Sequence, residues 1–355
     1  MLKRYPTLYY ISSRAVWYFI TFLAAVTINF MLPRLGPANP VDIIMARTAG
    51  GLDTKAAMEK EESYLKGFGL VELNKDGSIV RDASNKPVQS PLIKQFFNYV
   101  KMCLKGDLGT SFLNYPKKVT EIIAGAIPWT LALQIPTIII GWIIGNILGA
   151  LAAYKRGVYD GVIFPAALLA NAVPFFAFGM LLVYVFALQF NLFPAIGGYA
   201  QDLMPSMSWE FISSAAYYYV LPFFSIFLIL AGGQAIGMRS MCIYELGTDY
   251  IKYAKWLGMK EHKIVFYMFR NAMLPQLTGL ALSIGIMVGG ALITEMIFSY
   301  PGLGMSMLTA IQGNDYPLIQ GITLLVTLSV LIANFSVDIL IGFLDPRVKA
   351  GIGGK

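Results

Sequence analysis

Charge is scarce in this sequence. Of its 355 residues 13% are Asp, Glu, Lys or Arg and 57% are hydrophobic, with a mean hydropathy of +0.62. Soluble proteins carry roughly 25% charge, and so few charges cannot cover the surface of a large soluble core. A disordered chain is excluded as well, because such chains are poor in apolar residues and rich in net charge. The composition is that of an integral membrane protein. Two cysteines and one histidine, His262, argue against a disulfide framework or a metal site. The chain also lacks a G-x-x-x-x-G-K-[ST] phosphate loop and an H-E-x-x-H pair. The first absence means that it does not hydrolyse ATP by itself; the second counts against an intramembrane enzyme. No internal repeat of the kind that builds secondary transporters is found.

What is present is a set of long uncharged runs. Residues 15–33, 122–154, 161–201, 211–238, 271–294 and 316–337 contain no Asp, Glu, Lys or Arg. About 20 residues of helix cross roughly 30 Å of hydrocarbon. The runs are continuous rather than alternating, which excludes a β-barrel. The expectation is an all-α polytopic membrane protein with six transmembrane helices near 12–32, 129–153, 162–188, 216–238, 276–297 and 318–343. Lys3, Arg4 and Arg14 ahead of the first run suit a signal peptide, but no small-x-small site follows, so the run reads as an uncleaved anchor.

Lysine and arginine set the orientation. With the N-terminus inside, the inner segments hold Lys3, Arg4, Arg14, Lys155, Arg156, Arg239, Lys252, Lys255, Lys260, Lys263, Arg270, Arg347, Lys349 and Lys355. The outer loops 189–215 and 299–316 hold none. Both termini are therefore expected in the cytoplasm. The formal charge of +7 is topological and does not point to nucleic acid.

The domain reading is an N-terminus with the first span over 1–32, an extracytoplasmic insertion over 33–128, a core of five spans over 129–343, and a tail over 344–355. In the insertion, 55–65 reads as a polar helix. Asn74-Lys75-Asp76-Gly77-Ser78 reads as a hairpin turn, since Asp-Gly readily takes positive φ. Leu92, Phe96, Tyr99, Val100 and Cys103 recur at helical spacing, with Lys94 and Lys101 off that face, suggesting a helix on the membrane or on the bundle.

The segment 239–275 is longer than a connector needs. Thr248 can cap a helix with Asp249 in its first turn, and Gly258 can stop it. Ala254 and Gly258, four apart, would form a small-residue notch for another protein. A second run, 264–273, leads to Pro275 at the next membrane boundary.

Asp249-Tyr250-Ile251-Lys252-Tyr253-Ala254-Lys255-Trp256-Leu257-Gly258 and Arg270-Asn271-Ala272-Met273-Leu274-Pro275 resemble the EAA loop of binding-protein-dependent ABC importer permeases. The B-type permease of the dipeptide/oligopeptide family is the nearer likeness. Gly106-Asp107-Leu108-Gly109-Thr110-Ser111-Phe112, Phe298-Ser299-Tyr300-Pro301-Gly302-Leu303-Gly304, Asp315-Tyr316-Pro317 and Leu344-Asp345-Pro346-Arg347 agree with that family, in order along nearly the whole chain. Two positions depart from the pattern: Tyr253 is bulky where a small residue is usual, and Met268 replaces a frequent His.

The resemblance implies a type I ABC importer permease fold in the cell membrane. It implies a homologous C-type permease, two ATP-binding subunits and an extracytoplasmic substrate-binding protein as partners, with no cofactor in this chain because ATP and Mg are held by the ATPases. Asp249, Lys252, Ala254, Gly258, Asn271 and Pro275 are the expected ATPase-coupling residues. Glu295 and Asp338, ionisable residues at span ends, are candidates for the pore or gate, with Glu295 placed at the outer boundary within reach of water. Glu61 and Glu62 are candidate receptor contacts. The family's substrates make peptide the first expectation, with oligosaccharide or a nickel chelate as alternatives.

Overall fold

The computed structural model describes residues 6–35, 40–48, 53–74, 76–83 and 86–344. Lys75, part of the expected turn, and the tail beyond Leu344 lie outside the described residues. Among the described residues twelve α-helices follow one another: α1 Pro6–Met31, α2 Pro40–Thr48, α3 Thr54–Gly67, α4 Leu92–Leu104, α5 Val119–Lys155, α6 Gly157–Ala172, α7 Phe175–Leu182, α8 Trp209–Leu246, α9 Asp249–Trp256, α10 Glu261–Ile297, α11 Leu303–Gly313 and α12 Tyr316–Leu344. Strand pairing among the described residues is limited to isolated bridges.

Among the described residues four helical stretches are long and apolar enough to cross a membrane: Tyr9–Arg34, Val119–Lys155, Trp209–Leu246 and Tyr316–Ser336. The expected third span is not one straight helix. Val173 adopts an extended backbone ahead of Pro174, because the proline ring disfavours helical geometry in the residue before it. There α6 and α7, the latter extended by a π-helical stretch to Gln189, meet at 99° and count as a fifth span only if the pair is taken together. The fifth expected span lies in the second half of α10; among the described residues four stretches, or five with the bent pair, are long and apolar enough to cross.

The chain divides into two compact units, one mainly Trp129–Gly304 and the other Ser12–Pro128 with Met305–Leu331. In the first, α5 packs on α8 through glycines one turn apart. A Cβ on Gly145 would stand 2.5 Å from the Ala231 carbonyl oxygen, and one on Gly141 2.9 Å from Leu230. Small residues let helix backbones approach where lipid supplies no hydrophobic driving force. A core of Ala150, Ala153, Met238, Cys242, Ile251, Ala254, Ile264, Met268 and Ala272 joins α5, α8, α9 and α10. A second core gathers Leu133, Leu182, Leu221, Ile226, Phe298 and Tyr300.

The second unit is larger than the expected insertion over 33–128, because most of α1 and the 305–331 segment belong to it. Asp53 caps α3 by accepting the Ala56 N–H at 2.7 Å. The turn at Asp76 and Gly77 forms with Gly77 at φ +82°, and Asp76 accepts from the Ser78 N–H and hydroxyl, which holds its carboxyl below the usual range. A third segment adds to the hairpin: Glu72 N–H donates to Val88 and Val88 N–H to Val80. Val71 and Ile79 close a core with Val41, Ile44, Tyr64, Leu65, Phe68 and Phe112.

Candidate functional site

The connection from α8 to α10 carries the expected coupling residues. Leu246 ends α8, and Thr248 sits at the N-cap of α9. Its hydroxyl does not cap that helix; it donates backwards to the Glu245 carbonyl at 2.6 Å. Asp249 occupies the first turn and pairs with Lys252 at 2.9 Å, both exposed. A surface pair of this kind contributes about 0–1 kcal/mol to stability.

The helix α9 has two faces, and the notch expected between Ala254 and Gly258 is not one of them. Ala254 is 9% exposed and points with Ile251 into the core shared with α5, α8 and α10. Its small size serves close packing within the chain. Gly258 ends the helix in a left-handed conformation, φ +67°, with its N–H on the Lys255 carbonyl and Met259 N–H on that of Ala254. This is the Schellman arrangement, for which glycine is preferred because a Cβ is penalised at positive φ. A Cβ at Gly258 would meet nothing within 4 Å. The face open to a partner is instead Tyr253, Trp256 and Leu257, of which Leu257 is 81% exposed. Tyr253 and Trp256 rings meet edge-on at 5.4 Å.

Tyr250 fastens this helix to its neighbours. Its hydroxyl donates to the Glu245 carboxylate and accepts from Asn271 Nδ2 at 2.9 Å. Partial burial and then the Glu245 bond raise the Tyr250 pKa, so the phenol stays protonated at neutral pH. Asn271, singled out from the sequence, thus holds α9 to α10 through Tyr250. Pro275 does not break the chain at a boundary; α10 runs through it from Glu261 to Ile297. It leaves the Asn271 carbonyl without the usual i+4 donor, since proline has no N–H. His262 stands in the first turn of α10 rather than in a loop, and is exposed. Next to it, Tyr154 donates to Glu261 at 2.5 Å. Near the end of α8, Arg239 grips Asp160 of α6 with two bonds of 2.5 and 2.6 Å and covers the Phe164 ring at 4.0 Å.

Glu295 is not at a wet boundary. It is 0% exposed, and its carboxylate accepts the Gly304 N–H at 2.6 Å. Gly302 leaves room for it, because a Cβ there would collide with that carboxylate and displace it. Thr130 accepts the Leu303 N–H at 2.8 Å, and Gly197 N–H donates to the Phe298 carbonyl at 2.7 Å. Together these bonds fix the Tyr300–Gly304 turn over Trp129, whose ring meets Tyr300 at 5.6 Å. Asp338 lies half-buried in α12.

In the second unit Asp315, also 0% exposed, receives the Ser111 hydroxyl and the N–H groups of Phe112, Leu113 and Leu318, the last three at 3.0, 3.1 and 3.3 Å. Tyr64 donates to the Phe112 carbonyl at 2.7 Å, and burial followed by the Asp315 charge pushes its pKa up to about 12. Two sequence motifs 204 residues apart are thereby one structure. Glu62 on α3 is already engaged, at 2.5 Å from Arg81 and 4.0 Å from Lys66, while Glu61 is half-buried.

Glu245 and the Asp160–Arg239 pair are not singled out by the sequence, and the helical spacing of Tyr250, Ala254 and Leu257 puts on one face residues that the structure divides, Ala254 inward and Leu257 outward.

Residues 145–350 match the family described as the binding-protein-dependent transport system inner membrane component. The chain is 29% identical over 347 residues to the dipeptide transport system permease protein DppB of Escherichia coli K12, covering 93% of this chain and 95% of that one. To the oligopeptide transport system permease protein AppB of Bacillus subtilis it is 27% identical over 345 residues, covering 96% and 99%. To the glutathione transport system permease protein GsiC of Salmonella typhi it is 31% identical over 264 residues, covering 74% and 81%. A multi-pass helical protein that matches this family over more than half its length belongs to it: the chain is a binding-protein-dependent transport system inner membrane component.

Proposed function

We propose that this chain is the permease subunit of an ATP-driven ABC importer of di- and oligopeptides, forming half of the translocation pore. The observation that carries the substrate class is the match along 93–96% of the chain to permeases of dipeptide and oligopeptide systems. Its companions would be a homologous C-type permease, two ATP-binding subunits and an extracytoplasmic binding protein. The distribution of Lys and Arg supports cytoplasmic termini and a cytoplasmic α8–α10 connection.

In this reading α9 docks on an ATP-binding subunit through Tyr253, Trp256 and Leu257, with Asp249 and Lys252 at the polar rim and Gly258 closing the helix. Exposed aromatics beside charges suit an interface whose centre is apolar. Ala254 and Ile251 carry the displacement inward, because their core also contains Met238 and Cys242 of α8 and Ile264, Met268 and Ala272 of α10. Close-packed cores move as units rather than deform. The Tyr250 link to Asn271 stiffens the same path and Pro275 marks a point where α10 can bend. Glu295 positions the Tyr300–Gly304 turn, and Asp338 is the remaining ionisable candidate for the path. Glu61 and Glu62 would lie on the side where the binding protein arrives.

The test is uptake by proteoliposomes holding all subunits and the binding protein, with labelled dipeptide, glutathione and oligosaccharide as separate substrates. ATP-dependent accumulation of peptide supports the reading; accumulation of oligosaccharide alone would overturn the substrate class while leaving the importer intact.

A further inference from the structure

The helix α4 has three sides, and one of them is unexplained by the fold. Its inner side packs on the end of α1. Phe96 and Tyr99 meet Phe30 at 5.3 and 5.6 Å, Asn29 Nδ2 donates to the Tyr99 hydroxyl at 3.1 Å, and Arg34 Nε donates to Gln95 at 2.9 Å. The stripe read from sequence, with Phe96, Tyr99 and Cys103, is therefore the protein-facing side. A second apolar stripe is bare: Ile93, Phe97 and Leu104 are 73%, 66% and 80% exposed. At 3.6 residues per turn these three and Val100 lie within about 60° of one another along the whole helix. Lys94, Lys101 and Lys105 lie about 90° round from them, on the flank away from α1. The helix itself has no acidic residue.

We infer that α4 lies in the bilayer interface, with Ile93, Phe97, Val100 and Leu104 in the acyl region and the three lysines level with lipid phosphates. Two observations favour lipid over a protein partner. First, α4 is held at Asn29, Phe30 and Arg34, the last turns of a stretch apolar enough to span the membrane, so the fold itself places α4 at a membrane boundary. Ile28, Leu32 and Leu35 at that same end are exposed apolar residues as well. Second, the sequence of sides (apolar stripe, lysine flank, protein-packed side) is that of an interfacial helix whose lysine stems run upward to the headgroups. Lys94 is anchored to Glu72 at 2.8 Å, which ties the helix to the small three-segment meander. The consequence is that the segment following α1 is held flat against the membrane rather than projecting from it. The inference does not depend on which side of the membrane α4 occupies, and so stands or falls apart from the transport reading.

The experiment is site-directed spin labelling of the assembled complex in nanodiscs of phosphatidylethanolamine and phosphatidylglycerol. Single cysteines at Ile93, Phe97, Asn98, Lys101 and Leu104 are introduced with Cys103→Ser and Cys242→Ser, each variant checked for assembly. Relaxation by oxygen, which concentrates in the acyl region, is compared with relaxation by a water-soluble nickel chelate. The oxygen-to-nickel ratio is expected to be higher at 93, 97 and 104 than at 98 and 101. A label at 97 that is more accessible to nickel than the one at 98 would place the stripe in water and overturn the inference. Low accessibility of 93, 97 and 104 to both reagents would show a protein covering the stripe, and overturn it equally.

Discussion

Two aspartates introduced three residues apart separate the inward from the outward side of α9. Ala254 is 9% exposed among Met238, Cys242, Ile251, Ile264, Met268 and Ala272, none more than 4% exposed. None of these side chains is a strong hydrogen-bond donor. A carboxyl at residue 254 must stay neutral to remain there, which near pH 7 requires a rise of about three pKa units, or about 4 kcal/mol. The extra atoms add overpacking of about 1–3 kcal/mol. Ala254→Asp therefore removes about 5–7 kcal/mol, comparable with the whole stability of a typical domain, about 5–15 kcal/mol. Leu257 is 81% exposed just beyond the helix, and Leu257→Asp should change stability by about 0.5 kcal/mol or less. Placing a charge in an apolar docking contact is another matter, since each 1.4 kcal/mol lost is about a tenfold loss of binding. Size-exclusion chromatography with a thermal midpoint reads assembly, and receptor-stimulated ATP hydrolysis reads coupling. Ala254→Asp is expected to lose the assembled complex. Leu257→Asp is expected to assemble with the wild-type midpoint and to lose stimulated hydrolysis and uptake together. An Ala254→Asp complex of wild-type midpoint would refute the inward placement of this residue, and full coupling in Leu257→Asp would remove the exposed face from the mechanism.

Asp315→Asn should loosen the 111–113 turn. The amide keeps one acceptor oxygen and turns the other into a donor facing the Leu113 N–H, and a buried unpaired donor costs about 1–3 kcal/mol. Hydrogen exchange at Phe112 and Leu113 is expected to accelerate about tenfold or more; unchanged exchange there would show that Asp315 does not hold the turn. Orientation is tested with cysteines at exposed positions, because native Cys242 is 0% exposed. In a chain with Cys103→Ser and Cys242→Ser, an impermeant maleimide on intact, outer-membrane-stripped cells should label Met207→Cys and not Leu257→Cys, residues that are 92% and 81% exposed. The reverse pattern would place the termini outside.

The sequence by itself determined that this is a helical membrane protein, because charge-free runs of span length have no other stable solution than helices buried in lipid. It also located the α8–α10 connection, the end of α9 at Gly258 and the turn at Asp76–Gly77, all of which depend on residues a few positions apart. Tertiary structure decided what depends on distant neighbours. The break of 99° needed Pro174 to act within a packed bundle, since an interior proline is equally compatible with a gentle kink, and Pro275 and Pro222 sit inside unbroken helices. The direction in which Ala254 points was fixed by the core from α5, α8 and α10, which no window along α9 contains. Glu295 looked like a charge near water because it ends a span beside a polar loop. It is fully buried and accepts the Gly304 N–H, as Asp315, equally buried, accepts those of Phe112, Leu113 and Leu318, donors that only chain folding brings to them. A carboxylate's fate follows from which donors surround it, and that is a property of the fold rather than of the residue.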